Sequence, residues 1–168
     1  MSPIISIIMG STSDLPVMEK AAKFLDEMGI PFEMNAFSAH RTPQEVEAFA
    51  RTAEERGLKV IIAGAGMAAA LPGVVAASTT LPVIGVPIKG MLDGLDALLS
   101  IVQMPPGIPV ATVGVNGAQN AAILAVEMMA LSDQDLAQRL AVYKGNLRVK
   151  IEKANKELAE VKYQYKTN

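Results

Sequence analysis

Residues 60–88 form an uncharged and largely apolar stretch in the middle of this 168-residue chain. By length alone, such a stretch could span a bilayer. However, prolines and glycines divide it into short pieces, at Gly64, Gly66, Pro72, Gly73, Pro82, Gly85 and Pro87. Because these residues interrupt long helices, the pieces are predicted to be buried strands and a short helix. We therefore expect a packed core rather than a membrane span.

Short aliphatic runs alternate with helical patterns along the chain. The runs at 4–9, 32–37, 60–63, 83–86 and 110–113 are predicted to be strands, with helices at about 15–29, 43–56, 72–79, 93–101 and 117–131. Several runs are apolar on both faces, which is typical of parallel strands covered by helices. Thr42, Pro43 and Glu45 predict a capping box at the start of the second helix. This order indicates one α/β sandwich over residues 1–134.

The last segment, residues 135–168, is predicted to be an amphipathic helix and tail. Its apolar residues recur every three or four positions, at Leu136, Leu140, Tyr143, Leu147, Ile151, Ala154 and Leu158. Since the strand–helix series is already complete, this apolar stripe needs another surface to cover. It could fold back on its own domain, but we favour packing on a neighbouring subunit of an oligomer.

Composition excludes several classes of function. The chain has no cysteine and one histidine, which excludes disulfide frameworks, thiolate nucleophiles and most zinc chemistry, so we expect no metal. A formal charge of −2 provides no basic field for nucleic acid or an anionic membrane. No basic segment precedes the first predicted strand, so we expect no signal peptide and a cytoplasmic protein.

The loops after the first three predicted strands are the best candidates for a site, because ligands of parallel sheets bind at the carboxyl ends of strands. After the first strand, the hydroxyls of Ser11 and Ser13 at a helix start suit a phosphate, and Asp14 suits a ribose diol. The same residues could instead form an ordinary helix N-cap.

The loop after the second strand holds His40, the only histidine, beside Ser38 and Arg41. Histidine exchanges protons near neutral pH, and arginine offers a planar fork of donors for phosphate. Alternatively, both could be solvated surface residues. After the third strand, the small residues from Gly64 to Ala69 match a dinucleotide-binding pattern weakly, and more plausibly they allow a close approach of main chain to a ligand or helix.

Six motifs together resemble the N5-carboxyaminoimidazole ribonucleotide mutase family (PurE). In family order and spacing they are MGSTSD at 9–14, SAHRTP at 38–43, AGAG at 63–66, LPG at 71–73, PVIGVP at 82–87 and SIVQMP at 100–105. The likeness extends over about residues 4–131. It implies a flavodoxin-like three-layer sandwich with a central parallel sheet and an extra C-terminal helix, which reaches a neighbour in an octamer.

The resemblance also implies roles for individual residues in a cofactor-independent enzyme of purine biosynthesis. His40 matches the general acid/base of the family. Ser11, Ser13 and Arg41 are expected to face the phosphate of a ribonucleotide, and Asp14 the ribose hydroxyls. Ser38 lies in the same loop as His40 and Arg41. The segment from Gly64 to Gly73 is expected to wall the pocket around the imidazole, through Ala65, Gly66, Met67 and Leu71.

One departure from the family pattern is Ala70, where the family usually has a histidine in an Ala-His-Leu-Pro-Gly segment. A mechanism with one imidazole, His40, is unaffected. Related carboxylases that use free CO2 carry Ser-Ala-His-Lys-Thr and Arg-Ser-Asn segments, whereas this chain has Arg41 and the sequence Ala65-Gly66-Met67. We therefore predict a mutase, with a direct carboxylase or a non-catalytic nucleotide or flavin binder as alternatives.

Overall fold

The computed structural model describes residues 2–168 and contains five strands and six α-helices within that range. In chain order they are β1 (Ile5–Met9), α1 (Leu15–Glu27), β2 (Phe32–Ala36), α2 (Pro43–Thr52), β3 (Val60–Gly66), α3 (Leu71–Ala76), β4 (Val83–Ile88), α4 (Leu95–Val102), β5 (Ala111–Thr112), α5 (Ala118–Ala130) and α6 (Gln134–Glu160). A short 3-10 turn, Thr12–Asp14, precedes α1.

The strands form one parallel sheet in the order β2-β1-β3-β4-β5. This is the strand order of flavodoxin-like folds, so the predicted fold is confirmed. β2 pairs with one edge of β1 and β3 pairs with the other, so the direction in which strands are added reverses after β2. The crevice at this reversal, beyond the carboxyl ends of β1 and its neighbours, is where such sheets bind ligands.

Burial explains why the central strands are continuous apolar runs. Every residue of β1 and β4 is buried, as is all of β3 except Gly66, whereas β2 at the sheet edge is only half-buried. A core cluster joins α2, α3 and α4 to one face of the sheet. On the opposite face α1 lies so close that a Cβ at Gly64 would stand 2.5 Å from Sδ of Met18. Small residues in β3 therefore serve helix packing.

The prediction that a loop begins at Gly64 is wrong. The main chain of β3 continues its pairing with β4 for two more residues, Ala65 opposite Pro87 and Gly66 opposite Ile88. The strand extends because β4 remains buried and parallel beside it, although β1 ends opposite Gly64. Only the residues after Gly66 form the loop.

The predicted capping box at Thr42 is also wrong. The Thr42 hydroxyl makes no cap to α2. Instead, it accepts from the main-chain N–H of Ser38 at 3.0 Å and lies 3.2 Å from the Ser38 carbonyl oxygen, to which it donates. The Thr42 N–H also donates to that oxygen, at 2.8 Å, so the group that Glu45 would have bonded is already satisfied. The hydroxyl and the main-chain N–H of Thr42 thus close the loop that precedes α2 rather than cap the helix.

The chain separates into two compact units, one ending at Ala125 and the other comprising Val126–Asn168. In the second unit, the Asp133 carboxylate caps α6 by accepting from the N–H of Leu136 at 2.9 Å. Leu136 and Leu140 are buried, whereas Leu147, Ile151 and Leu158 farther along the stripe are exposed. None of the helices in residues 2–168 is long and apolar enough to cross a membrane.

Candidate active site

A cavity of about 180 Å³ lies at the carboxyl ends of β1, β2 and β3. Three segments line it: Gly10, Ser11, Ser13 and Asp14 after β1; Ser38, Ala39, His40 and Arg41 after β2; and residues 65–71 at the end of β3 and the start of α3. All the residues predicted for the site therefore surround one cavity, at the switch point of the sheet. Their roles toward a substrate remain predictions.

The segment after β1 is held by its own hydroxyls. The Ser11 and Ser13 Oγ atoms lie 2.5 Å apart, and Ser11 Oγ also accepts from the N–H of Ser13 at 3.2 Å. This second bond is an N-cap of the 3-10 turn, so the alternative of an N-cap is confirmed for Ser11, while the phosphate-binding role stays a prediction. The two hydroxyls nevertheless remain in the cavity lining, where they can donate to an anion.

Asp14 lies beside these serines and is half-buried. Ser13 Oγ donates to its Oδ1 over 3.4 Å. Burial raises the pKa of the Asp14 carboxyl above its ordinary value, although the hydrogen bonds from Ser13, Ser11 and Gly10 oppose that shift. The carboxyl lines the cavity, where its oxygens could accept hydrogen bonds from the hydroxyls of a ligand.

The segment after β2 is a closed turn that presents His40 at its tip. Ser38 organises this turn, because its Oγ accepts from the main-chain N–H of Arg41 at 3.1 Å and from Arg41 Nε at 3.3 Å. Behind the turn, Phe37 contacts Phe49 of α2, with ring centroids 4.9 Å apart. The turn is therefore anchored at its base and exposed at its tip.

His40 is exposed and lines the cavity. Its imidazole makes no hydrogen bond to any other residue in the part of the chain from 2 to 168. Both ring nitrogens are consequently available to a ligand, and the ring can take a proton at one atom and deliver it at another.

The segment after β3 forms an apolar wall. Ala65, Ala69 and Leu71 are buried in the core cluster, and Ala70 adds only a methyl group. Met67 and Ala68 are the exceptions, since both are exposed, Met67 to 64%. The cavity thus combines a polar side that can hold an anion with an apolar side whose side chains offer no hydrogen bonds to water. Groups of three or more His, Cys, Asp or Glu that could hold a metal are absent from the described residues.

Ala68, Ala69 and Ala70 belong to the Gly64–Gly73 segment that was expected to wall the pocket, whereas Gly10 and Ala39 line the cavity without having been predicted. The side chains of Gly10 and Ala39 carry no functional group, so their residue types alone gave no signal of a site. Adjacency to the serines and to His40 was the only available indication.

Comparisons with known proteins agree on one family. The family model described as AIR carboxylase matches residues 4–150. The N5-carboxyaminoimidazole ribonucleotide mutase of Pyrococcus abyssi is 59% identical over 147 residues, which cover 87% of this chain and 84% of that protein. The crystal structure of Treponema denticola PurE superposes with a TM-score of 0.83 and 31% identity, covering 93% of this chain and 98% of that one.

A longer relative carries a different name. The phosphoribosylaminoimidazole carboxylase of Schizosaccharomyces pombe is 55% identical over 157 residues. Those residues cover 92% of this chain but 28% of that protein. The relative that matches over most of both lengths is thus the one named a mutase.

Proposed function

The chain belongs to the AIR carboxylase family, and on that premise we propose that it is an N5-carboxyaminoimidazole ribonucleotide mutase of purine biosynthesis. The observation that carries this proposal is the composition of one cavity. Its lining combines a single histidine, the hydroxyl, carboxyl and guanidinium groups of two loops, and the small apolar residues of a third segment. Its substrate is a small ribonucleotide, whose phosphate and imidazole match these two sides.

The polar side binds the phosphoribosyl group. Ser11, Ser13 and Arg41 hold the phosphate through hydroxyl and guanidinium donors, and Ser38 keeps the guanidinium in place. Asp14 accepts from the ribose hydroxyls. Binding at this non-reacting end places the imidazole against residues 65–71 and next to His40.

The reaction transfers a carboxylate within one molecule. The bond between the exocyclic nitrogen and the carboxyl carbon breaks, its electron pair stays on nitrogen, and CO2 is released into the cavity. The nitrogen takes a proton from protonated His40. The electron-rich C4 of the imidazole then attacks CO2 and forms the new carbon–carbon bond. Finally, neutral His40 removes the C4 proton and regains its starting state.

The apolar wall assists the first of these steps. A carbamate loses CO2 more readily when its charge is poorly solvated, and Ala65, Ala70 and Leu71 provide few groups that could solvate it. Electrons and protons balance without an oxidant, a reductant or ATP. We therefore propose that the enzyme uses no cofactor.

One alternative is a carboxylase that takes up free CO2, favoured by the name of the Schizosaccharomyces pombe relative. The same residues could catalyse it, because it consists of the second half of the sequence of steps above. Arg41 and the segment Ala65-Gly66-Met67 favour the mutase. The described cavity lining contains no Phe, Tyr or Trp that could stack on a flavin ring, so the cavity does not favour a flavin binder.

We also propose that the enzyme is a cytoplasmic homo-oligomer, an octamer. Large apolar side chains are exposed along α4, at Leu95, Leu99 and Val102, and along the stripe of α6. Contiguous exposed apolar residues of this kind mark surfaces that subunits cover. Residues 135–168, with most of α6, would pack on a neighbouring subunit.

The variant His40→Asn tests the catalytic proposal. It keeps a polar side chain of similar size at an exposed position, so folding and product binding should be nearly unchanged. Turnover of the carbamate ribonucleotide should fall at least about a hundredfold, since a general acid/base contributes that much or more. A variant that retained more than about a tenth of the activity would contradict the assignment of His40.

A further inference from the structure

Met67 combines three properties at the rim of the cavity. It lines the cavity, 64% of it is exposed, and its main chain is left-handed, with φ +52°. A residue with a Cβ is strained in this conformation. Among the described lining residues, only Met67 and Leu71 are large and apolar, and Leu71 is buried in the core.

The main chain around Met67 is fixed on both sides. Ala65 and Ala69 are buried in the core cluster, and the N–H of Ala69 donates to the carbonyl oxygen of Met67 at 2.9 Å. The two ends of the loop are therefore held in the core, on either side of the left-handed residue. Strain that is maintained in this way at a binding site is a frequent sign of function.

We propose that Met67 is the specificity-determining residue that keeps the released CO2 inside the cavity, by closing over it as a flexible apolar cap. This inference rests on the proposed function and deepens it. Met67 would determine how much of the released CO2 is recaptured by C4 and how much is lost to solvent.

The chemistry of CO2 explains why a cap of this kind is suited to the task. CO2 is small and uncharged, so the hydroxyls and Arg41 on the polar side of the cavity cannot hold it strongly. Only a physical barrier can retain it after the bond to nitrogen has broken and before the bond to C4 has formed. Methionine has three rotatable side-chain bonds and a polarizable sulfur, and it can adapt to an apolar surface that changes shape during the reaction. The side chain forms no bond with CO2.

Leu92 provides a matched control. It is also left-handed, with φ +47°, and 73% of it is exposed. However, it is not among the residues that line the cavity. Leu92→Gly relieves the same kind of strain away from the site, whereas Met67→Gly relieves strain and removes the proposed cap. Met67→Leu keeps an apolar side chain of similar volume.

The test uses the full chain and substrate labelled with ¹³C in its carbamate carboxyl group, in unlabelled bicarbonate buffer. Mass spectrometry measures the fraction of consumed substrate recovered as labelled C4-carboxylate product, after subtraction of spontaneous decarboxylation. The wild type, Leu92→Gly and Met67→Leu should retain most of the label. Met67→Gly should lose at least about three times as much label as the wild type.

The outcomes are distinguishable. Met67→Gly with the wild-type label fraction would overturn the inference while leaving the mutase proposal intact. The same loss of label in Leu92→Gly would also overturn it, because the effect would then follow from relief of strain alone. A wild type that forms no C4-carboxylate product would overturn the proposed function and the inference with it. If Met67→Gly did not fold, Met67→Ala would replace it, with the same expected loss.

Discussion

Arg41 donates a hydrogen bond from Nη2 to the main-chain oxygen of Gly10, 3.4 Å away and 31 residues earlier in the chain. The same guanidinium also donates from Nε to the Ser38 hydroxyl. One side chain therefore links the loop after β1 to the loop after β2. Because His40 is next to Arg41, this link also helps to position His40, the proposed acid/base, relative to Ser11 and Ser13, the proposed phosphate ligands.

Replacing Arg41 separates binding from chemistry. In Arg41→Ala, the phosphate loses its cation and the two loops lose their link, so KM should rise at least about tenfold with a smaller effect on kcat. Arg41→Lys keeps the charge but not the planar fork, and it should recover only part of the affinity. Steady-state kinetics with the carbamate ribonucleotide measure both values. An unchanged KM with a collapsed kcat would instead place Arg41 in the proton transfers.

Sequence patterns predicted the sheet and the loops that carry the site, for physical reasons that are visible in the structure. The buried runs in β1, β3 and β4 are nearly continuous because both faces are covered. Because the carboxyl ends of the parallel strands β1, β2 and β3 lie at one edge of the sheet, the loops at Ser11, His40 and Met67 meet there. The resemblance to a family supplied the proposed role of His40, which position alone left open.

Other features depended on tertiary contacts that a linear pattern does not contain. Thr42 has the residue type of a helix N-cap, but the nearby main chain of Ser38 competes for its hydroxyl. Gly64 and Gly66 are of a residue type that is typical of loops, yet pairing with β4 keeps them in the strand. The left-handed conformation of Met67 was also unpredictable, because methionine rarely adopts it.

The raised pKa of Asp14 predicts an unusual pH dependence of stability. Because the folded protein holds this proton more tightly than the unfolded chain does, the free energy of unfolding should decrease as pH rises from the ordinary carboxyl pKa of 3.8 through the raised value. Asp14→Asn lacks this effect. The Tm of Asp14→Asn minus the Tm of the wild type should therefore be larger at about pH 7 than at about pH 4.

Thermal unfolding of both proteins at the two pH values checks this prediction, with the ionic strength held constant. The same variant should bind the ribonucleotide more weakly, because an amide replaces the proposed acceptor of the ribose hydroxyls. A Tm difference that is independent of pH, or larger at the acidic end, would show that burial does not disfavour the Asp14 carboxylate.

The stripe of α6 predicts the effect of charges on assembly. Leu147 and Ile151 are exposed in the single chain, so Leu147→Glu with Ile151→Glu should leave the fold intact and give smaller assemblies. Val149 is also exposed but lies on the opposite side of the helix, at 100° per residue, and Val149→Glu is the control. Light scattering measures the subunit count. Equal counts for the wild type and the double variant would show that this stripe makes no subunit contact.

The source of the carboxyl carbon tests the central claim most directly. The wild-type chain is given the unlabelled carbamate ribonucleotide in ¹³C-bicarbonate, without ATP, biotin or added metal and with a chelator present. A mutase returns the CO2 that it released, so product should form with little label in its C4 carboxylate. Extensive label in the product, together with efficient use of aminoimidazole ribonucleotide and bicarbonate alone, would contradict the mutase assignment and identify a direct carboxylase.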